Sequence, residues 1–302
     1  MTTVLQISDS HFGTERSQVV QALRRLADQQ VPDLVVLSGD ITQRARHSQF
    51  EAACRFIDLL KPAAVLAIPG NHDIPLFNLA ARVFAPYANY KRAFGQNLEP
   101  VFEREDVLVI GVNTTRPRRH KDGEVSSAQV DRVAERLHRA APAQLRIVVV
   151  HQPVLAIRAS DEKNLLNGYR QAVPAWATAG ADIIMGGHIH LPYVRSLRDT
   201  FPGLRRDTWT VQAGTSVSSR TREGIPNSVN VIRCNGPLLP HGCTVERWDY
   251  VGRFDRFEPQ TSDVLRFDAP DAASRSATVG RGGSACLDRP SRRLRVADLH
   301  RE

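Results

Sequence analysis

The chain has 302 residues, of which 42% are hydrophobic and 24% are charged, proportions typical of a globular protein with an apolar core. No stretch approaches the ~20 consecutive apolar residues of a membrane-spanning helix. The sequence enters a predicted strand at once, without a basic and apolar secretory leader. None of the four cysteines, Cys54, Cys234, Cys243 and Cys286, belongs to a CxxC pair. We therefore expect a cytoplasmic protein with reduced thiols, a Cys234–Cys243 disulfide being the less favoured alternative.

The formal net charge is +8 and the isoelectric point is near 9.8, with most of the positive charge on arginine. A positive field attracts anionic substrates and nucleic acids. The alternative is a compositional preference for arginine over lysine that has no binding role. Charge alone does not choose between the two.

Helix-type and strand-type segments alternate along the first 190 residues. The predicted helices are 17–30, 48–60, 126–140 and 168–178, the last with Pro174 in or near its start. Two of them have capping-box sequences, Ser48 with Glu51 and Ser126 with Gln129. Between the helices lie short runs rich in Val, Ile and Leu, namely VLQIS, LVVLSG, AVLAIPG, RIVVV and DIIMGG. Such runs suit strands that are buried on both faces, so we expect a largely parallel sheet.

The pattern changes after His190. Strands are predicted over 208–213, 228–234 and 244–250 without intervening helices, and an earlier hairpin over 101–102 and 107–112 turns at Glu105-Asp106. These segments predict a second sheet packed on the first. From about Pro259 the chain becomes rich in Ser, Asp, Arg and Gly, which predicts a folded domain over 1–258 and a disordered tail over 259–302.

Metal-binding side chains follow each of the five apolar runs directly. They are Asp9, His11, Asp40, Asn71, His72, Asp73, His151, His188 and His190. Because the carboxyl ends of parallel strands form one rim of an open sheet, these side chains should converge. All the donors are oxygen or nitrogen and none is a thiolate, which favours Mn, Fe, Zn, Co or Ni. Two such ions ~3.5–4 Å apart are suited to in-line displacement at phosphorus and need a shared carboxylate.

The series Asp9-x-His11, Gly39-Asp40, Gly70-Asn71-His72-Asp73, His151 and Gly187-His188-x-His190 resembles the calcineurin-like metallophosphoesterase superfamily. The segments SGDITQRA, IPGNHDIP and AGTSVSSRTR are similar to those of bacterial members grouped with class III cyclic-nucleotide phosphodiesterases. The resemblance implies an α/β/β/α four-layer sandwich of two mixed sheets flanked by helices. It also implies two divalent or mixed-valence ions and a hydroxide, bridging them, that attacks phosphorus in line.

The resemblance assigns roles to the residues in these blocks. Asp9, His11 and His190 would bind one metal, Asn71, His151 and His188 the other, and Asp40 both. His72 would be catalytic, facing the phosphate and leaving group, and Asn71 would also hold a phosphoryl oxygen. The sequence departs from the family pattern at Ser10 and Gln152. Neither departure removes a ligand, so they place substrate choice in doubt more than catalysis.

Several nearby residues have less specific surroundings. Asp73 is expected to orient His72 or to cap the following segment. The basic run 116–121 and the polar residues Arg220, Arg222 and Asn227 are interpreted as solvated loops, with substrate or nucleic-acid contact as the alternative. His47 is expected to be a surface residue that could edge the cleft.

These observations favour a dinuclear phosphodiesterase acting on a small phosphodiester, with a cyclic nucleotide as one candidate. A nuclease acting on DNA or RNA ends is the alternative supported by the positive charge, but no aromatic residues interleave with the basic runs. A phosphomonoesterase or phosphoprotein phosphatase also remains open. A non-catalytic scaffold is least favoured because no ligand is missing.

Overall fold

The structure is a computed structural model that describes residues 1–204, 206–234 and 242–267. Its strands are β1 Thr3–Ile7, β2 Leu34–Ser38, β3 Val65–Ile68, β4 Val101–Glu103, β5 Val107–Gly111, β6 Leu145–Val149, β7 Ile183–Gly186, β8 Tyr193–Ser196, β9 Trp209–Gln212, β10 Ser228–Cys234, β11 Gly242–Val251 and β12 Arg256–Arg266. The helices are α1 Ser17–Gln30, α2 His47–Leu60, α3 Leu79–Phe84, α4 Ala88–Phe94, α5 Ser127–His138 and α6 Tyr169–Thr178. Three 3-10 turns cover Asn71–Asp73, Ala159–Asn164 and Gly252–Phe254.

The strands form two mixed six-stranded sheets. The first has the order β12-β11-β10-β1-β2-β3, and its β1, β2 and β3 are parallel. The second has the order β4-β5-β6-β7-β9-β8, and its β5, β6, β7 and β9 are parallel. In each sheet the parallel part carries the apolar runs that are buried on both faces.

Three apolar clusters define the layers. One consists of strand residues from both sheets, such as Val36 and Val149, and lies between them. A second joins α1 and α2 to the first sheet, with Leu23 against residues such as Leu37. The third joins α5 and α6 to the second sheet around the fully buried Trp176. The predicted four-layer α/β/β/α sandwich is therefore confirmed.

Two local predictions were wrong. Helix α2 begins at His47 after the N-cap residue Arg46. The side chain of Gln49 caps this start, because its Oε1 accepts hydrogen bonds from the backbone N–H groups of Arg44 and Arg46 at 2.9 and 3.4 Å. Glu51, which was predicted to cap the helix with Ser48, instead lies 3.5 Å from His47 one turn away. Pro174 is the sixth residue of α6 and lies in its middle rather than near its start. The box formed by Ser126 and Gln129 is present at the start of α5.

The strand β12 lies mostly within the segment predicted to be a tail. It pairs with β11 from Arg256 to Arg266 across a bulge at Arg247/Trp248, so the described fold continues past residue 258. Only Phe257 and Leu265 of this edge strand are buried, and the pattern of a strand is therefore weak in the sequence. The prediction for 268–302 lies outside the described residues.

Two further features bear on the sequence-based expectations. Cys54, Cys234 and Cys243 are free thiols, although Cys234 and Cys243 are directly paired in register between β10 and β11. Within the described residues, no helix has the length and apolar character needed to cross a membrane.

Candidate metal centre

The predicted ligands meet where the parallel strands of both sheets end. Those from the first sheet follow β1, β2 and β3, and those from the second follow β6 and β7. The residues brought together are Asp9, His11, Asp40, Asn71, His72, His151, His188 and His190. Asp9, His11, Asp40 and His151 are buried, whereas the other four are partly exposed. The centre is thus walled on one side and open on the other.

Backbone strain is concentrated in these loops. Asp9, His11, Asp40, His188 and His190 have positive φ angles of 51°, 42°, 49°, 72° and 54°. A left-handed conformation is uncommon for residues other than glycine and persists only where the surroundings impose it. Five of the nine such residues in the described part of the chain belong to the centre, which indicates that the loops are shaped to aim these side chains.

The donor atoms form three overlapping groups, and within each group all atoms lie within 4.8 Å of one another. The groups are Asp9 with His11 and His190, His11 with Asp40 and His72, and Asp40 with His151 and His188. The Nε2 atoms of His11 and His190 are 3.1 Å apart. The Nε2 of His151 is 3.3 Å from Asp40 Oδ1, and that of His190 is 3.3 Å from Asp9 Oδ1. Asp40 therefore lies between two clusters of donors.

Neighbouring groups hold these side chains in place. Asp9 Oδ2 accepts hydrogen bonds from the Ser8 hydroxyl at 2.6 Å and from the His188 backbone N–H at 2.9 Å. The Nδ1 atoms of His151 and His190 contact the backbone carbonyls of Ser38 and Arg220 at 2.9 and 2.6 Å. Since a carbonyl only accepts, both Nδ1 atoms carry the hydrogen and both Nε2 atoms are left for a ligand.

Buried polar atoms without partners show that this arrangement fits a cation. Within the described residues, Asn71 Oδ1, His151 Nε2 and His188 Nδ1 make no hydrogen bond although they are buried. They belong to the three residues that are expected to bind the second ion. His11 Nδ1 is also without a partner. Leaving such atoms unsatisfied is costly, and cation binding would satisfy the first three.

The charge states also suit cation binding. Burial lowers the pKa of His11 to about 3 and that of His188 to about 4, so both imidazoles are neutral. Burial opposes ionisation of Asp9, but the charges of His190 and His151 bring its pKa down to about 2. Asp40 has a lowered pKa because the charges of His151 and His72 outweigh its burial. Neutral imidazoles and ionised carboxylates are the forms that bind metals. Although burial opposes it, Asp40 raises the pKa of His151 to about 9 and Asp9 raises that of His190, so these two imidazoles would each release a proton when a cation binds.

His72 and Arg220 lie together at the open side. His72 donates its Nδ1 hydrogen to the Gln43 carbonyl at 2.9 Å, and its Nε2 is 3.4 Å from Nη1 of Arg220. The same Nη1 donates to Gln43 Oε1 at 2.9 Å, and the guanidinium is exposed. Sequence analysis interpreted Arg220 as part of a solvated loop. The only sequence signal for its position is the segment AGTSVSSRTR, whose approach to the centre depends on the tertiary fold.

Asp73 does not orient His72, contrary to one of its two predicted roles. Its carboxylate accepts hydrogen bonds from the backbone N–H groups of Ile41, Thr42 and Gly70 at 3.0, 2.8 and 2.9 Å, and from the Thr42 hydroxyl at 2.8 Å. The imidazole is oriented by Gln43 instead. Asp73 thus joins the loops after β2 and β3, where Asp40 and Asn71 lie.

The two departures from the family pattern are accommodated by local hydrogen bonds. The hydroxyl oxygens of Ser10 and Ser216 are 3.0 Å apart. Gln152 accepts from the Thr114 hydroxyl at 2.6 Å and donates to the Lys121 carbonyl at 3.3 Å. Gln152 therefore anchors the basic loop.

The other polar residues singled out in the sequence make structural contacts. Within the basic loop, Arg116 and Arg119 pair with Glu124 at 3.8 and 2.8 Å. Arg222 pairs with Asp161 at 3.0 Å and Asn227 donates to the Ser218 carbonyl at 2.8 Å.

Comparisons with known proteins identify the family of this chain. The family model described as calcineurin-like phosphoesterase matches residues 2–192, and the chain belongs to that family. A protein of Synechococcus described as a probable cyclic nucleotide phosphodiesterase is 26% identical over 170 residues, which are 55% of this chain and 61% of that protein. The match thus spans less than two thirds of that relative.

Solved structures share the fold. A purple acid phosphatase from yellow lupin (Lupinus luteus) seeds superposes with a TM-score of 0.62 at 12% identity over 88% of this chain and 53% of its own. A dimetal phosphatase from Danio rerio gives a TM-score of 0.62 at 11% identity over 88% of this chain and 99% of its own. The family resemblance inferred from the sequence is confirmed.

Proposed function

We propose that this protein is a metal-dependent phosphodiesterase that hydrolyses small phosphodiesters. The observation that carries the proposal is the pair of donor clusters that meet at Asp40. A pair of bound divalent cations would supply a water-derived nucleophile near neutral pH and neutralise charge at phosphorus. We assign Asp9, His11 and His190 to one ion, Asn71, His151 and His188 to the other, and Asp40 to both.

His72 is placed to move a proton at the leaving group. Its Nδ1 hydrogen is held by the Gln43 carbonyl, so the proton exchanged with a substrate would be on Nε2, which faces the open side near Arg220. A group so placed can protonate the departing alkoxide. Because Nδ1 is fixed, the ring presents the same nitrogen throughout the reaction.

Arg220 and Asn71 would contact the non-bridging phosphoryl oxygens. The guanidinium of Arg220 is exposed beside His72, and planar guanidinium groups are well suited to phosphate oxygens. A phosphodiester brings a single negative charge, which one arginine and the neutral side chains of Asn71 and His72 can accommodate. The name of the Synechococcus relative supports a cyclic nucleotide as one candidate substrate.

The test compares a diester with its matching monoester. The full chain, reconstituted with Mn²⁺, Zn²⁺ or Fe²⁺, is assayed on bis-p-nitrophenyl phosphate and p-nitrophenyl phosphate at one metal concentration and pH, with Asp40→Asn as the inactive control. We expect kcat/KM to be at least about tenfold higher for the diester, since each tenfold corresponds to ~1.4 kcal/mol of transition-state stabilisation. A tenfold preference for the monoester would instead place the protein among the phosphatases.

A second panel addresses the natural substrate. Cyclic nucleotides, glycerophosphodiesters and short DNA are compared under the same conditions, and processive digestion of DNA would identify a nuclease. We also propose a cytoplasmic location, which the free thiols of Cys54, Cys234 and Cys243 support.

A further inference from the structure

An exposed apolar surface follows the metal-binding loop directly. Phe77, Leu79, Val83 and Phe84 are 71%, 69%, 71% and 86% exposed, and they lie within eight residues of one another. We call these four side chains the α3 face. Helix α3 buries none of its side chains. Contiguous exposed apolar side chains usually mark an interaction site, whereas single ones do not.

The segment is held in a defined position. Asn78 caps α3 by accepting a hydrogen bond from the backbone N–H of Ala81 at 2.9 Å. Arg82 donates to the carbonyls of Pro75, Pro117 and Arg119 at 3.0, 2.7 and 2.7 Å. Because Arg82 ties the inner side of α3 to the basic loop, the helix cannot rotate to bury the α3 face without breaking these bonds.

Unpaired cations border the α3 face. The guanidinium of Arg44 lies 4.9 Å from the centre of the Phe77 ring. Arg118 and Lys121, in the loop that Arg82 contacts, are exposed. Arg119 has Glu124 as its partner at 2.8 Å, but Arg44, Arg118 and Lys121 form no ion pair with any residue that the structure describes. The surface therefore combines large apolar groups with free positive charge.

We propose that the α3 face, together with Arg44, Arg118 and Lys121, docks on an anionic lipid surface. Apolar side chains that enter the interfacial region and cations that contact acidic headgroups are the two contributions that hold a protein on such a surface. Arg44, whose guanidinium lies against the Phe77 ring, directly follows Gln43, and the Gln43 carbonyl binds the His72 imidazole. Docking would therefore bring the open side of the metal centre to the lipid.

Two other occupants match the surface less well. A second copy of the chain would bring the same three cations together, and each copy carries a formal charge of +8, so like charges would oppose the contact. A nucleic acid would pair with the cations but would leave Leu79 and Val83 exposed, since aliphatic side chains offer no ring for base stacking. An anionic bilayer satisfies both parts of the surface.

The experiment is co-sedimentation of the full chain with vesicles of phosphatidylcholine alone or mixed with phosphatidylglycerol. The wild type should bind the mixed vesicles, and added salt should weaken binding because headgroup attraction is screened. The double substitution Phe77→Ser with Phe84→Ser should lower the partition coefficient at least about tenfold. Arg118→Glu with Lys121→Glu should lower binding to the mixed vesicles only.

Phe254→Ser is the matched control. Phe254 is 47% exposed and an arginine, Arg253, lies 4.4 Å from its ring centre, so the control removes a phenylalanine of similar surroundings outside the α3 face. Circular dichroism and thermal unfolding establish that every variant folds. The inference does not depend on the proposed function, because the quantity measured is partitioning onto vesicles. Turnover of a small soluble diester should be the same in all variants.

Three results would overturn the proposal. They are the absence of binding to phosphatidylglycerol vesicles, an equal loss in Phe254→Ser, and a dimer in lipid-free buffer that dissociates when Phe77 and Phe84 are replaced. The last result, measured by light scattering, would assign the α3 face to contact between copies of the chain.

Discussion

Asp73 and Thr42 join two of the loops that form the metal centre: the Asp73 carboxylate accepts one hydrogen bond from the Thr42 backbone and one from its hydroxyl, both at 2.8 Å. Further bonds from Ile41 and Gly70 complete the contact at 3.0 and 2.9 Å. The buried carboxylate therefore sets the distance between the loop that carries Asp40 and the loop that carries Asn71.

Replacing Asp73 by alanine should destabilise the fold and impair metal binding. Three buried backbone N–H groups would lose their acceptor, and each unsatisfied group costs about 1–3 kcal/mol. We expect the free energy of unfolding to fall by ~3 kcal/mol or more, measured by urea denaturation. Asp28, which is 54% exposed, provides the control, since Asp28→Ala should change stability by less than about 0.5 kcal/mol. Equal stabilities of the two variants would contradict this role.

Asp40→Asn should abolish activity and lower the metal content below that of the wild type. The substitution keeps the shape of the side chain but removes the charge that serves both donor clusters, leaving two cations with less compensation. Metal per chain is measured by plasma mass spectrometry after gel filtration. Wild-type stoichiometry combined with normal turnover would show that Asp40 does not bridge the ions.

His72→Ala should retain the metals and lose most of its turnover. Acid–base groups typically contribute ~10²–10⁴-fold, and the loss should be smaller for p-nitrophenyl leaving groups, which need little protonation. A series of diesters with alcohols of increasing pKa measures this dependence. A uniform loss across the series would argue against proton donation and for a role in binding.

Arg220→Ala should lower kcat/KM by ~10²-fold without changing metal content, because removing one donor to the reacting oxygens costs about this much in other enzymes. Arg220→Lys should retain part of the activity, since lysine keeps the positive charge but lacks the planar guanidinium group. Arg195, an exposed residue whose guanidinium donates to the neighbouring Val194 carbonyl at 2.8 Å, serves as the control. If Arg195→Ala were as impaired as Arg220→Ala, the effect would be one of general charge rather than phosphate contact.

Gly39→Ala should disrupt the site by displacing His151. A Cβ at Gly39 would lie 2.3 Å from His151 Nδ1, and the φ of this glycine is +97°. Gly95 separates the steric contact from the backbone strain, because its φ is +89° but nothing lies within 4 Å of an added Cβ. Both variants should show the strain of a left-handed alanine, ~1–2 kcal/mol, in thermal unfolding. Only Gly39→Ala should lose metal and activity, and equal metal binding in both would rule out the steric argument.

The fold and most of the centre could be predicted from sequence because their signals are local. A buried run followed at once by Asp40 or by His151 places a ligand at a strand end, and parallel strands end at one rim whatever the details of the loops. The start of the helix after Ser126 could also be predicted from the sequence, since its capping box lies within four residues. The box predicted from Ser48 and Glu51 is not formed, because Gln49, two residues before Glu51, caps the helix instead.

What the sequence by itself determined, then, is which side chains can bind cations and the layers that bring them together. Only the tertiary structure decided that Arg220 reaches His72, that Asp73 binds Thr42 rather than the imidazole, and that β12 completes the first sheet. The physical reason is that these contacts join segments far apart in the chain, through loops whose course no local periodicity encodes. The exposure of Phe84 was likewise decided only by the tertiary structure, because whether an apolar side chain is covered depends on what the rest of the fold packs against it.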